Sequence, residues 1–260
     1  MMLDHIHIQM QHSPIIATAI HDGHYIPTPY LKNMILDEHE RMREEDPYTA
    51  YLAELPANRV VVDVSRFLTD LNRPKDKCIY RTPADAWNLT VWKTISKTME
   101  KKLLDYYDKF YEQIAICIKK SIATHGYFIV LDIHSYNHRR NSPREEEDVI
   151  ANPEINIGTI HNQRKWANVA QAFIQYLSQS TIQGHLPDVR ENIKFKGGAF
   201  AQWICQHYGD FGCVLSVEFK KTFMDEWTGR ANIHHLNDLR QALAGSIPLL
   251  TYQLQAVSRK

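Results

Sequence analysis

Four short apolar runs in this chain stop abruptly at clusters of charged or imidazole side chains. Pro14 to Ile20 runs into His21-Asp22-Gly23-His24, and Val60 to Val62 into Asp63-Val64-Ser65-Arg66. Phe128 to Leu131 runs into Asp132-Ile133-His134-Ser135, and Cys213 to Val217 into Glu218-Phe219-Lys220-Lys221. Continuous apolar runs of this length predict strands buried on both faces. Helical periodicity fills the intervals. Leu103, Tyr106, Tyr107, Phe110, Ile114 and Cys117 recur at three- and four-residue spacings, within a helical region predicted from about Asp85 to His125 and interrupted once. Gly126 ends it and a strand over Tyr127–Ile133 follows. That helix–glycine–strand order favours parallel strands joined by helical crossovers, an α/β fold.

Further helices are predicted over Thr28–Arg43, Gln163–Ser178, Ala199–Tyr208 (with Gly209 as the stop) and Leu236–Val257. A second strand is predicted over Val60–Val64, and Met1 to Ser13 reads as a polar lead-in. Asp70 to Asp76 reads as a loop from its Asn, Pro and Asp content. The very polar segment from Asn137 to Asn152 reads as a solvated loop. Because it leaves directly from His134, it is also a candidate rim for whatever His134 faces. No linker or repeat divides the chain, so one domain is expected over residues 1–260.

Composition narrows the function classes. Thirty Lys and Arg balance thirty Asp and Glu, so no global field argues for nucleic acid or an anionic membrane as partner. The N-terminal Met1-Met2-Leu3-Asp4-His5-Ile6-His7 has neither the basic nor the apolar region of a signal peptide. No run approaches the roughly 18 apolar residues of a membrane span. Cys78, Cys117, Cys205 and Cys213 have no C-x-x-C spacing and read as free thiols. A cytoplasmic protein, monomer or small homo-oligomer, is the expectation. Fourteen histidines are many for this length, and His5, His7 and His12 look like plain surface residues, which leaves the strand-end ones to explain.

In open α/β sheets ligands bind just beyond the carboxyl ends of the strands. His21 and His24 stand three residues apart in a glycine-containing turn after a strand, a spacing that can aim two imidazoles at one ion; the alternative is a pair of surface histidines. His134 ends a strand and is the third candidate ligand, with Asp132 two residues before it on the same face as a carboxylate to orient it. Glu218 interrupts an apolar run, where a carboxylate is costly unless it is paired or put to use. It is either neutralised by Lys220 or an arginine, or is a general base. Arg66 and Arg73, with Arg81 beyond, are planar donors suited to a substrate carboxylate; surface ion pairs are the alternative.

Together these segments resemble the N-formylglutamate amidohydrolase family, relatives of the zinc carboxypeptidases and aspartoacylases. The matching pieces are Ala19-Ile20-His21-Asp22-Gly23-His24-Tyr25-Ile26-Pro27, Glu45-Asp46-Pro47-Tyr48-Thr49, Val64-Ser65-Arg66-Phe67-Leu68-Thr69-Asp70-Leu71-Asn72-Arg73-Pro74 and Leu131-Asp132-Ile133-His134-Ser135. Asn156-Ile157-Gly158-Thr159 and Gly197-Gly198 before Val217-Glu218 complete them, over roughly residues 15 to 230. The resemblance implies a mixed, largely parallel sheet flanked by helices, zinc carboxypeptidase-like in architecture. It also implies one divalent metal ion, zinc, and hydrolysis of the amide of an N-acyl amino acid, with N-formyl-L-glutamate as the first candidate. His21 and His134 take the metal. The third ligand is His24, where carboxypeptidases carry Glu, with Asp46 in the acidic Glu44-Glu45-Asp46 run as the alternative. Glu218 takes the role of base, and Arg66, Arg73, Asn72 and the weaker candidate Arg81 hold a small carboxylate substrate. Two rival readings are a carboxypeptidase-like peptidase and a non-catalytic binding protein on the same fold. A retained Glu218 argues against the second.

Overall fold

The computed structural model describes residues 2–258. Seven strands form one sheet: β1 (Ile6–Gln9), β2 (Ile15–Ala19), β3 (Asn58–Val62), β4 (Phe128–Tyr136), β5 (Ile155–Gly158), β6 (Val189–Glu191) and β7 (Gly212–Lys220). Their order is β1-β3-β2-β4-β7-β5-β6. The central pairings β3–β2, β2–β4 and β4–β7 are parallel, as is β5–β6. Only β1 against β3 and β5 against β7 are antiparallel. The sheet is therefore mixed and largely parallel, as expected.

Helices cover both faces. Seven α-helices are described: α1 (Thr28–Leu31), α2 (Glu38–Glu44), α3 (Thr49–Leu52), α4 (Lys97–His125), α5 (Ala167–Ser178), α6 (Ala199–Tyr208) and α7 (Ile233–Ser258). Alternation along each strand divides the core in two. Ile129, Leu131, Ile133, Leu215 and Val217 pack with Phe173 of α5 and Leu243 of α7. Phe128, Val130 and Val214 face the other way, onto Phe110 and Ile114 of α4 and Phe200 of α6. On that second face the next side chains along are Asp132, His134, Ser216 and Glu218, so one apolar face turns polar towards the carboxyl ends of its strands.

Several boundaries differ from expectation for local reasons. The helix expected over Thr28–Arg43 is two short ones, because the Asp37 side chain accepts from Glu40 N at 2.8 Å and caps a new start. The long helix begins at Lys97 rather than near Asp85: Ser96 caps it, and Trp87 and Asn88 take left-handed φ values of 50° and 67° that no helix continues through. Gly126 ends it with φ of 84°. The second strand is Asn58–Val62, two residues earlier than expected. The strands of His134 and Glu218 run two residues past each of them. The lead-in holds a 3-10 turn and edge strand β1, polar because one of its faces is exposed. All four cysteines are free. No helix among the described residues is long and apolar enough to cross a membrane.

Candidate active site

Register brings the polar side chains together. Thr18 of β2 lies beside Asp132 of β4, Asp132 beside Ser216 of β7, and His134 beside Glu218. Thr18 Oγ1 donates to Asp132 Oδ1 at 3.0 Å. After β2 the chain turns at His21-Asp22-Gly23 against the end of β3. A Cβ on Gly23 would stand 2.1 Å from the Asp63 carbonyl carbon, so only glycine allows this approach. The His21 carbonyl then accepts from Asp46 N at 2.9 Å, which draws the segment after α2 over the strand ends.

The result is a buried cluster of His21, Asp46 and His134, whose ligand atoms lie within 4.8 Å of one another. Both rings turn Nδ1 to Asp46 Oδ2, at 3.5 Å from His21 and 3.0 Å from His134. Their Nε2 edges face other carboxylates: Asp70 Oδ1 at 2.8 Å from His21, and Asp132 Oδ2 at 3.1 Å from His134. Two imidazoles held from behind by carboxylates, with a third carboxylate between their free edges, form a donor set that suits a divalent cation.

The electrostatics favour positive charge at this spot. Burial opposes a charged His134, yet the carboxylates of Asp132 and Glu218 outweigh it and hold its pKa well above the ordinary value. Burial would raise Asp46, but its hydrogen bonds to His134 and His21 keep it well below the usual carboxylate range. Asp70 is likewise held low against burial, first by the Arg66 guanidinium. A cation bound here would displace the proton from His134, because a metal-ligating imidazole must be deprotonated at the ligating nitrogen.

Glu218 stands beside this cluster, buried, lining a cleft of about 300 Å³ with His21, Asp46 and His134. No hydrogen bond or ion pair reaches its carboxylate among the described residues. Lys220, the expected neutraliser, pairs instead with Glu147 at 2.6 Å. Burial pushes the Glu218 pKa up to about 7, while the charge of His134 pulls it down.

The other expected site residues divide. His24 does not join the cluster: Glu45 takes its Nδ1, and Arg41 Nη2 and Glu38 Oε1 lie 3.1 and 3.4 Å from its Nε2. The three-residue spacing brings its backbone close, but these partners hold the ring elsewhere. Arg66 lines the cleft but spends donors on Asp70 at 2.8 Å, the Tyr80 hydroxyl at 3.2 Å and the Glu44 carbonyl at 3.2 Å. Asn72 bridges α6 to the cluster, accepting from Phe200 N at 3.1 Å with Nδ2 3.4 Å from His134 Nε2. Arg73 lines the cleft over the Tyr80 ring, 3.6 Å from Asp70 and without a side-chain hydrogen bond among the described residues. Arg81 lies outside the cleft, exposed and paired with Glu100 at 2.5 Å.

Three residues were not singled out from sequence. Asp70 holds His21, and its place in Asp70-Leu71-Asn72-Arg73 was the available signal. Arg140 lines the cleft mouth and grips both Glu44 oxygens at 2.9 Å. Its segment is thus the rim that its departure from His134 suggested. Lys221, in the cluster after β7, is buried in the cleft wall, where burial pushes its ammonium down to about 8.

The arrangement is that of an α/β protein with a candidate cation site at the carboxyl ends of parallel strands. An N-formylglutamate amidohydrolase from Ralstonia eutropha JMP134 superposes with a TM-score of 0.72 over 98% of both chains, at 15% identity. A gene product of Agrobacterium tumefaciens superposes at 0.67, with 16% identity, over 98% of this chain and 96% of its own. These likenesses establish the fold. No curated protein is significantly similar in sequence. The sequence profile of the N-formylglutamate amidohydrolase family matches residues 13–224, and the chain belongs to that family. Membership places it among the amide-cleaving hydrolases.

Proposed function

We infer that the protein is a metal-dependent hydrolase of the amide bond of an N-acyl amino acid, with N-formyl-L-glutamate or a close analogue as substrate and glutamate and formate as products. The observation that carries this reading is the convergence of His21 Nδ1, His134 Nδ1 and Asp46 Oδ2 beside an unpaired, buried Glu218. His21, Asp46 and His134 would hold a divalent cation, zinc by the two-imidazole donor set, which would supply Lewis acidity when bound.

The chain's own residues do the rest. Glu218, as carboxylate, accepts the proton of the attacking water and returns it to the amine nitrogen as the C–N bond breaks. Asp70 and Asp132 keep the two rings turned. Arg73, with donors unspent, holds a substrate carboxylate, and Asn72 borders the same wall. Arg66 serves mainly by fixing Asp70. The cleft of about 300 Å³ has room for a compact N-acyl amino acid, and it shares Glu44, Trp87, Asn137 and Arg140 with a larger outer cavity.

The test is a substrate panel on purified protein, with zinc added or removed by chelator. N-formyl-L-glutamate, other N-formyl and N-acetyl amino acids, and short peptides are compared. Chelator-sensitive release of formate from N-formyl-L-glutamate or a neighbouring N-formyl amino acid supports the reading. Release of amino acids from uncapped peptides alone contradicts it, as does turnover indifferent to metal.

A further inference from the structure

The three peptide carbonyls that precede Asp46 are each held by a side chain from a distant element. The Arg43 carbonyl accepts from Lys221 Nζ at 2.7 Å and from Asn137 Nδ2 at 2.8 Å. The Glu44 carbonyl accepts from Arg66 Nη1 at 3.2 Å, and the Glu45 carbonyl from Lys221 Nζ again, at 2.7 Å. Lys221 thus grips the segment on both sides of Glu44. It is only 1% exposed, and its side-chain hydrogen bonds among the described residues are to these two carbonyls rather than to any carboxylate. The carboxylates of Asp46, Glu44 and Glu226 supply negative charge around this buried ammonium, yet its hydrogen bonds go to the two carbonyls, and for core packing alone an apolar side chain would serve.

The connections explain the placement. Lys221 follows β7, the strand of Glu218, and Asn137 follows β4, the strand of His134. Asp46 itself comes from a loop after α2 and has no strand to fix it. Its main chain is tied to the sheet by Asp46 N on the His21 carbonyl and by the clamp on the preceding carbonyls. On the metal-site reading above, on which this inference rests, we propose that Lys221 is a positioning residue: it fastens the Asp46 segment to the strand bearing Glu218 and so sets the third ligand against the two imidazoles. It touches neither metal nor substrate in this role.

Partners that orient metal ligands typically change affinity by about 10–100-fold when lost. Lys221→Met keeps the aliphatic stem and removes the donors, so it should weaken Zn²⁺ binding by roughly that factor in a chelator competition. A role in stability alone would lower the melting temperature equally with and without Zn²⁺. The positioning role shrinks the rise in melting temperature that Zn²⁺ produces. The deciding comparison is a double-mutant cycle with Asp46→Ala. Once the ligand is gone, Lys221→Met should change Zn²⁺ affinity by no more than about twofold. Should Lys221→Met fail to fold, Lys221→Gln, which keeps one donor, and Asn137→Ala, which removes the second donor to Arg43, take its place. Both should show smaller losses that vanish in the Asp46→Ala background. Full affinity in the Lys221 and Asn137 variants, or losses that simply add to that of Asp46→Ala, overturns the clamp while leaving the metal site standing. Zn²⁺ binding that Asp46→Ala does not weaken overturns the site and the clamp with it.

Discussion

The carboxylate of Asp70 holds His21 by its Nε2 at 2.8 Å and so turns the Nδ1 of that ring to Asp46. The other Asp70 oxygen takes Arg66 at 2.8 Å and the Tyr80 hydroxyl. A carboxylate behind a histidine fixes both the tautomer and the direction of the free nitrogen. Asp70→Asn keeps the shape but can present an amide donor to Nε2. It should weaken metal binding by about 10–100-fold with the fold retained. Chelator competition on variant and wild type measures this, and equal affinities would show that Asp70 does not set the ring.

Arg73 and Arg81 make opposite predictions although both follow the same strand. Arg73 faces the cleft with unspent donors, and Arg81 is committed to Glu100 on the surface. Arg73→Lys keeps the charge and loses the planar fork, so KM for an N-acyl amino acid should rise with kcat changed less. Arg81→Ala should leave both constants at their wild-type values. Steady-state kinetics on the free acid and its α-ester checks the pair. An unchanged KM in Arg73→Lys, or an ester that serves as well as the acid, removes Arg73 from substrate recognition.

Glu218 is expected to act as the base, so Glu218→Gln should retain metal and lower kcat by about 10²–10⁴-fold. Its pKa also gives a stability signature in the metal-free protein. Burial raises the folded-state value from 4.5 to about 7. The group's contribution is therefore fully present below 4.5 and is lost as pH rises through about 7, because the unfolded chain ionises first. Glu218→Gln removes that loss, so its melting temperature should gain on the wild type's across this window. With a cation bound, the activity limb should fall at or below the same pH, since nearby positive charge favours the carboxylate. Thermal melts and kcat against pH read both effects. Wild-type turnover in Glu218→Gln excludes it as the base.

Much of this was legible in the chain because β2, β4 and β7 are buried on both faces and show as continuous apolar runs, with His21, His134 and Glu218 at or near their ends. Strands β1, β5 and β6 left no such trace: one is a half-exposed edge, and the others have four and three residues. The third member of the cluster shows where local spacing alone does not decide which side chains meet. His24 stands three residues from His21, yet Glu45 and Arg41 claim its ring. Asp46 is 25 residues from His21 in sequence and arrives through contacts from the residues just after β4 and β7 and from the loop after β3. Arg66 was legible as a donor suited to a carboxylate but not as a support for a ligand, because its partner Asp70 had first to be placed against His21.

Metal content per chain tests the centre most directly, measured on wild type, Asp46→Ala, His134→Ala and His24→Ala after equal dialysis against a weak chelator. The cluster of His21, Asp46 and His134 predicts one ion per chain in wild type and in His24→Ala, with most of it lost from Asp46→Ala and His134→Ala, all four folded by circular dichroism. An ion kept by Asp46→Ala and lost by His24→Ala would contradict the site described here.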